Sequence, residues 1–342
     1  MRDKINVSSL ALSLSSRIIF SVPLTMLVAV KLAILQAAWV ALTVTSGIKA
    51  HTALVGLQEE GSMGAALKAS LIIHLLALYW GIQVFHNVGY VSTSSSVAAW
   101  YFERASFDRG CCCFRPVVVE GLCRSLTYAF GSICLGSLLV AILETLLALA
   151  RYAQSEARKG QNLVMVVVGC CFTCFLSCLE DIMKLFNEWA FIYVAIYGTN
   201  FVTAGKAVLN LVEEQGLRHM LTGVIADRVL LLGAVLSGAV GCANSVLIVM
   251  SAGEESAVSV SAVGGFAAIA CTLFGALCLS PVGAGFRCLM ICFVEAPRTL
   301  QAVQPALHDA FKELQLKALA DAPPTAVGVP LGEPQYQRLV AP

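Results

Sequence analysis

An all-α fold, a polytopic membrane helical bundle of six to seven long helices, follows from three features of the sequence. Hydrophobic residues make up 58% of the chain and charged residues 13%, with a mean hydropathy of +0.82. The apolar share lies above that of a soluble domain and the charged share well below it. Seven apolar stretches come near or exceed the ~20 residues that carry a helix across a bilayer. They lack the short alternation of barrel strands, and in lipid only helices and closed barrels satisfy their own backbone groups.

The elements follow in order. The N-terminal MRDKINVSSLALSLSSRIIF opens with charge, but its apolar run continues far beyond a signal-peptide core and has no small-residue cleavage pattern, so it is expected to be retained. The stretches lie at roughly 18–46, 66–100, 125–150, 162–186, 188–212, 226–250 and 258–280. Polar joints divide them: SGIKAH with LQEEGS, ERASFDRG, RYAQSEARKGQ, EEQGLRH and SAGEESA. Beyond Pro281 an amphipathic stretch ends at CFVEAP, so the bundle is drawn as residues 1–295. Residues 296–342 include DAPPTAVGVPLGEPQYQ, which cannot bury enough apolar area to fold, and are expected to form a largely disordered cytosolic tail.

Orientation is read from basic residues in short loops, which favour the cytosol. Arg2, Lys4 and Arg17, then Arg104, Arg109, Arg115 and Arg124, then Arg298, Lys312 and Lys317 put both ends inside. The joint at 251–257 has acids and no base, so it faces out. Seven full crossings would separate the ends. One segment is therefore expected not to cross alone, and 162–212 is chosen because EDIMKLFNE (180–188) interrupts its apolar run. This leaves Arg151, Arg158 and Lys159 outside, against the charge rule.

Composition also excludes functions. Lys+Arg 22 against Asp+Glu 21 gives a net charge of +1, so no basic field exists to hold a nucleic acid. No phosphate-binding Gly loop, HExxH or GxSxG is present, so nothing points to an enzyme, a cofactor or ATP-driven transport. Fourteen cysteines raise the question of zinc or disulfides. Cys170, Cys174 and Cys178 form an i, i+4, i+8 stripe beside Cys171 without a companion CxxC or His cluster, and read as small, soft residues of the membrane core. Cys111, Cys112 and Cys113 sit in a basic joint suited to S-palmitoylation.

The densest chemistry is NEWAFIYVAIYGTNF (187–201). Trp189, Tyr193 and Tyr197 recur at i, i+4 and i+8 and share one helix face, while Phe191 and Phe201 fall elsewhere. A quaternary ammonium has charge but no N–H donor, so aromatic faces suit it, each contributing ~0.5–2 kcal/mol according to desolvation. An interfacial belt or plain helix packing is the competing reading. Glu144, deep in AILETLLAL, has no base within four positions and needs a partner elsewhere, a proton or a cation, unless it snorkels to headgroups. Glu180 and Asp181 are spaced to pair with Lys184, and Lys31 and Lys206 to reach an interface. His74 and His86 do not make a metal pair, and STSSS (92–96) is expected to bend its helix. Ser132 and Gly136, with Gly131 and Ser137, form a small face for close helix contact, and Gly198 permits an unwound turn.

CCFTCFLSCLEDIMKLFNEWAFIYVAIYGTNFVTAGKAVLNLV (170–212) resembles the signature of choline transporter-like proteins, a Cys-rich helix ending in Cys-Leu-Glu, an Asn-rich joint and Ala-Ile-Tyr-Gly-x-Asn-Phe. The family pattern recurs in SLSSRIIFSVPL (13–24), LALYWGIQVFHNVGYVSTSSSVAAWYFER (76–104), YAFGSICLGSLLVAIL (128–143) and FRCLMICFVEAP (286–297), with FNEWAF closer to the fungal and protist branch. It covers nearly the whole chain and the C-terminal part of a typical member. The resemblance implies a multi-pass carrier, in the plasma membrane or an organelle membrane, for choline or a related cationic amine such as ethanolamine. Its partners would be that small cation and the lipid bilayer, with a homo-oligomer left open. Joined to the residue chemistry, it nominates Trp189, Tyr193, Tyr197, Glu144, Asn187, Asn200, Trp80 and His86 as substrate-binding. A non-transporting scaffold or lipid-interaction protein is the alternative.

Overall fold

The computed structural model describes residues 2–56, 63–102, 116–159, 163–215, 218–251, 257–303, 305, 308 and 309. Among these residues the regular elements are helices: α1 (Arg2–Phe20), α2 (Pro23–Gly56), α3 (Met63–Phe102), α4 (Pro116–Leu126), α5 (Phe130–Lys159), α6 (Leu163–Tyr197), α7 (Phe201–Gln215), α8 (Arg218–Ser251), α9 (Ala257–Glu295) and α10 (Pro297–Val303). Six contain apolar spans long enough to cross a membrane: Pro23–Val55, Ala66–Phe102, Phe130–Lys159, Val166–Tyr197, Ala226–Ser251 and Val260–Glu295. Cys111 to Cys113, the loop arginines 104, 109 and 115, and the chain beyond Asp309 lie outside the described residues.

Two breaks differ from the sequence expectation. The first apolar stretch does not run unbroken from 18, because α1 ends at Phe20 and α2 starts at Pro23. Proline has no N–H to donate and a φ preset for a first helical turn, so a helix starts there readily. The second concerns 162–212, where the expected interruption at EDIMKLFNE is absent and α6 runs through it. Lys184 bonds Glu180 one turn back at 2.6 Å, and that i, i+4 pair supports the helix. The chain breaks instead at Gly198, whose φ of 67° is in the left-handed region that glycine adopts without strain. The 15 residues of α7 rise only ~22 Å, short of a ~30 Å hydrocarbon layer. The expected span at 188–212 is thus divided between the last turns of α6 and the short helix α7.

The helices group into two compact units. The first comprises residues 1–30, 93–121 and 210–342. Its centre is the antiparallel pair α8 and α9, which meet through small residues, with Gly233 facing Leu279, Gly238 facing Thr272 and Gly264 facing Val246. A Cβ at Gly238 would lie 2.8 Å from the Ala268 carbonyl oxygen, so side chains longer than these would hold the backbones apart. Ser237 donates across the pair to the Cys271 carbonyl at 2.9 Å, and Arg287 meets Asp227 at 2.6 Å. Apolar helices in lipid gain little from hydrophobicity alone, and close packing of this kind supplies the attraction. On α1, Ala11, Leu14, Ser15, Ile18 and Ile19 are buried at helical spacing. The Ser15 hydroxyl donates to the Val282 carbonyl at 2.7 Å, just past Pro281. STSSS is buried, and α3 remains helical through it to Phe102.

The second unit comprises residues 31–92 and 122–209. Within it α2 and α3 run antiparallel, with the Trp39 indole donating to the Ala77 carbonyl at 3.1 Å and its ring against Gly81. His74 is held there by Ser70 and Ser46, a packing role. α5 and α6 form a second antiparallel pair, Gly136 opposite Asn187, Glu144 opposite Lys184 and Gln154 opposite Gly169. The cysteine stripe at 170, 171, 174 and 178 is exposed on α6, the side a spanning helix turns to lipid.

Candidate functional site

All eight nominated residues fall in the second unit, around α5 and α6. The small face of α5 is the scaffold. Asn187 of α6 donates from Nδ2 to the Gly136 carbonyl at 2.7 Å, and Asn87 of α3 donates to Ser137 Oγ at 2.9 Å. The Trp80 indole donates to the Cys134 carbonyl at 3.1 Å, and Ser132 Oγ accepts the Phe201 backbone N–H of α7 at 3.1 Å. Glycine at 136 is required by two rings, since a Cβ there would fall 2.7 Å from Phe191 Cζ and from Phe201 Cε2. Those rings pack together with centroids 5.7 Å apart.

One turn or two further along lies an ion cluster. Lys184 Nζ is 2.8 Å from Glu144 Oε1 and 2.6 Å from Glu180 Oε1, while Gln83 of α3 donates to Glu144 Oε1 at 2.9 Å. Glu144 thus finds its base on the neighbouring helix. Two carboxylates against one ammonium leave a formal charge of −1 in the middle of two apolar helices, where charge is costly and commonly tied to function.

The aromatic face sits on the last three turns of α6. Trp189 is 3% exposed and Tyr193 2%, whereas Tyr197 is half-buried. Tyr193 and Tyr197 lie with centroids 5.7 Å apart and planes 26° from parallel, stacked on one another. Nothing the size of a methylated ammonium fits between rings so close, so a cation would meet an outer face of the pair. Trp189 Nε1 is buried and has no hydrogen-bond partner among the described residues, as is true of Asn187 Oδ1.

The remaining candidates divide by role. Asn200 Oδ1 accepts the Thr203 backbone N–H at 2.8 Å and so caps α7. Asn187 and Trp80 tie α6 and α3 to α5 through their donors, with Trp80 38% exposed. His86 is exposed, its ring 6.5 Å from that of Tyr90. Among the described residues no group of three His, Cys, Asp or Glu side chains is placed to hold a metal. Sequence reasoning missed Gln83, although Trp80, Gln83 and Asn87 at i, i+3 and i+7 form a readable polar stripe on α3. It also missed the bond from Lys184 to Glu144, which depends on the register between two helices.

These features define a polytopic helical membrane protein whose interior carries cross-bonded polar groups and buried aromatic rings. The profile of the family described as plasma-membrane choline transporter matches residues 1–298. The chain belongs to that family, the choline transporter-like proteins. A CTL-like protein of Dictyostelium discoideum is 30% identical over 251 residues, 72% of this chain and 42% of the relative. A second from the same organism is 25% identical over 263 residues, 75% of this chain and 46% of the relative. Protein PNS1 of Mycosarcoma maydis is 28% identical over 180 residues, 52% of this chain and 32% of the relative. The chain spans less than half the length of each.

Proposed function

We propose that this chain binds and carries choline or a related amine such as ethanolamine by alternating access, with Trp189, Tyr193 and Tyr197 as its cation–π element. The observation that carries the reading is the burial of Trp189 and Tyr193, where other aromatics of the spanning helices, such as Phe172, Phe175, Phe266 and Phe274, are exposed. A belt residue at the interface keeps its ring exposed, and these two do not. Support also comes from the excess negative charge of Glu144, Glu180 and Lys184 on the same helix pair, which favours a cation nearby. The buried polar bonds along α5 keep the helices in register around both features.

The test is uptake of labelled choline and ethanolamine by cells expressing the chain, with membrane insertion verified. Transport above empty vector is expected. Trp189→Ala is expected to reduce it by up to about thirtyfold, the equivalent of a desolvated cation–π contact of ~2 kcal/mol. Glu144→Gln is expected to lower it as well. Uptake equal to vector, from protein present in the membrane, rejects the carrier reading for this chain and favours a membrane scaffold.

A further inference from the structure

We infer that the Trp189 indole N–H is a ligand-reading donor that recognises an oxygen on the substrate. The inference rests on the carrier reading above and adds to it a second chemical requirement. A quaternary ammonium cannot accept a hydrogen bond, so an aromatic face alone would take any methylated cation of the right size. The N–H edge of the indole does something the face does not.

Three observations lead there. First, Trp189 is 3% exposed and its Nε1 is buried without an acceptor among the described residues. A buried indole N–H normally finds a partner, and leaving it unpaired carries a desolvation penalty. Second, the same unit satisfies its other indoles in a uniform way: Trp39 donates to the Ala77 carbonyl at 3.1 Å and Trp80 to the Cys134 carbonyl at 3.1 Å. Helix carbonyls are the available acceptors in such packing, and Trp189 is not turned to one. Third, the nearest orphan acceptor in sequence cannot serve. Asn187 Oδ1 also lacks a partner among the described residues, but two residues along a helix is ~200° of rotation, and Asn187 faces α5 through Gly136.

Trp189 shares its face with the stacked Tyr193 and Tyr197. The backbone positions of Trp189 and Tyr193 are about one turn apart, ~6 Å along the axis. A ligand matching both groups has an alkylated ammonium at one end and an oxygen acceptor at the other, the pattern of an amino alcohol. A hydrocarbon in place of the hydroxyl would leave the N–H unpaired, and a site that pairs with a hydroxyl rejects such an analogue strongly.

The experiment is competition against labelled choline on membranes containing the full chain, with propyltrimethylammonium, which carries a methyl where choline has its hydroxyl. Wild type is expected to prefer choline by roughly tenfold, a single buried hydrogen bond. Trp189→Phe, which keeps an aromatic face and removes the N–H, is expected to bring the two inhibition constants together, the ratio between the compounds being the readout whatever both lose through the weaker ring. Equal inhibition by the two compounds in wild type overturns the inference without any variant, as does a preference that survives Trp189→Phe. In both of those outcomes choline still binds, so the carrier reading stands. Absence of choline binding in wild type overturns both.

Discussion

Gly136→Ala isolates the contact on which the second unit is built. The added methyl would sit 2.7 Å from Phe191 Cζ and 2.7 Å from Phe201 Cε2, against the 3.4 Å at which ordinary contact begins. Neither ring has space to retreat freely: Phe191 is fully buried, Phe201 nearly so, and they lean on each other. Overpacking of this kind costs ~1–3 kcal/mol. The gain from replacing a mid-helix glycine by alanine offsets ~1 kcal/mol, leaving a net loss of up to about 2 kcal/mol. At ~2–4 °C per kcal/mol, thermal unfolding of the purified protein in detergent micelles should shift down by up to about 8 °C. Gly131→Ala, on the same helix with nothing within 4 Å of its added Cβ, supplies the control and should match or exceed wild type. Gly136→Ala unfolding at or above the temperature of Gly131→Ala would refute the packing described for these rings.

Other expectations use the same unfolding measurement. Lys184→Met strands Glu144 and Glu180 and should destabilise, and Glu144→Gln in the same chain should restore part of the loss. With the ammonium 39% exposed, the coupling should be on the order of 1 kcal/mol, and strictly additive variants would count against the ion cluster. Asn187→Ala removes the bond to the Gly136 carbonyl and should cost ~1–3 kcal/mol, whereas Asn200→Ala removes a cap and should cost ~1 kcal/mol. Gly198→Ala forces a side chain into left-handed backbone at ~1–2 kcal/mol, with Gly198→Asn milder. A neutral Gly198→Ala would mean that α6 does not end where described.

The helical class and most of the long spans were legible because composition and run length are local properties. Helix ends were less so. EDIMKLFNE was read as an interruption because its charges stand out against apolar flanks, but charge four residues apart supports a helix when the partner is Lys184. The actual break needed a backbone conformation, and Gly198 alone signals permission for it, not use. Within the site, the arc of Trp189, Tyr193 and Tyr197 follows from helical spacing, as does the close approach at Ser132 and Gly136. That Asn200 caps a helix and that Glu144 meets Lys184 depends on the α6 boundary and on the α5–α6 register, neither of which one strand of sequence encodes by itself. The small-residue seam of α8 and α9 was readable from Ala234, Ser237, Gly238 and Gly241, yet an apolar run draws attention to its length before its side-chain size.

The stop at Tyr197 has an electrostatic side. A helix that ends there places the negative pole of its peptide dipoles beside the last aromatic of the stripe, equivalent to about half an elementary charge and worth ~0.3–1 kcal/mol to a neighbouring cation. The opposing positive pole of α7 is blunted, because Ser132 and Asn200 already occupy N–H groups of its first turn. The broken backbone therefore sets a negative pole at the tip of α6, which the Arg124 guanidinium, its Nη2 3.5 Å from where a Cβ on Gly198 would lie, already meets, and a mutation that extended the helix past Gly198 would carry that pole away from the rings.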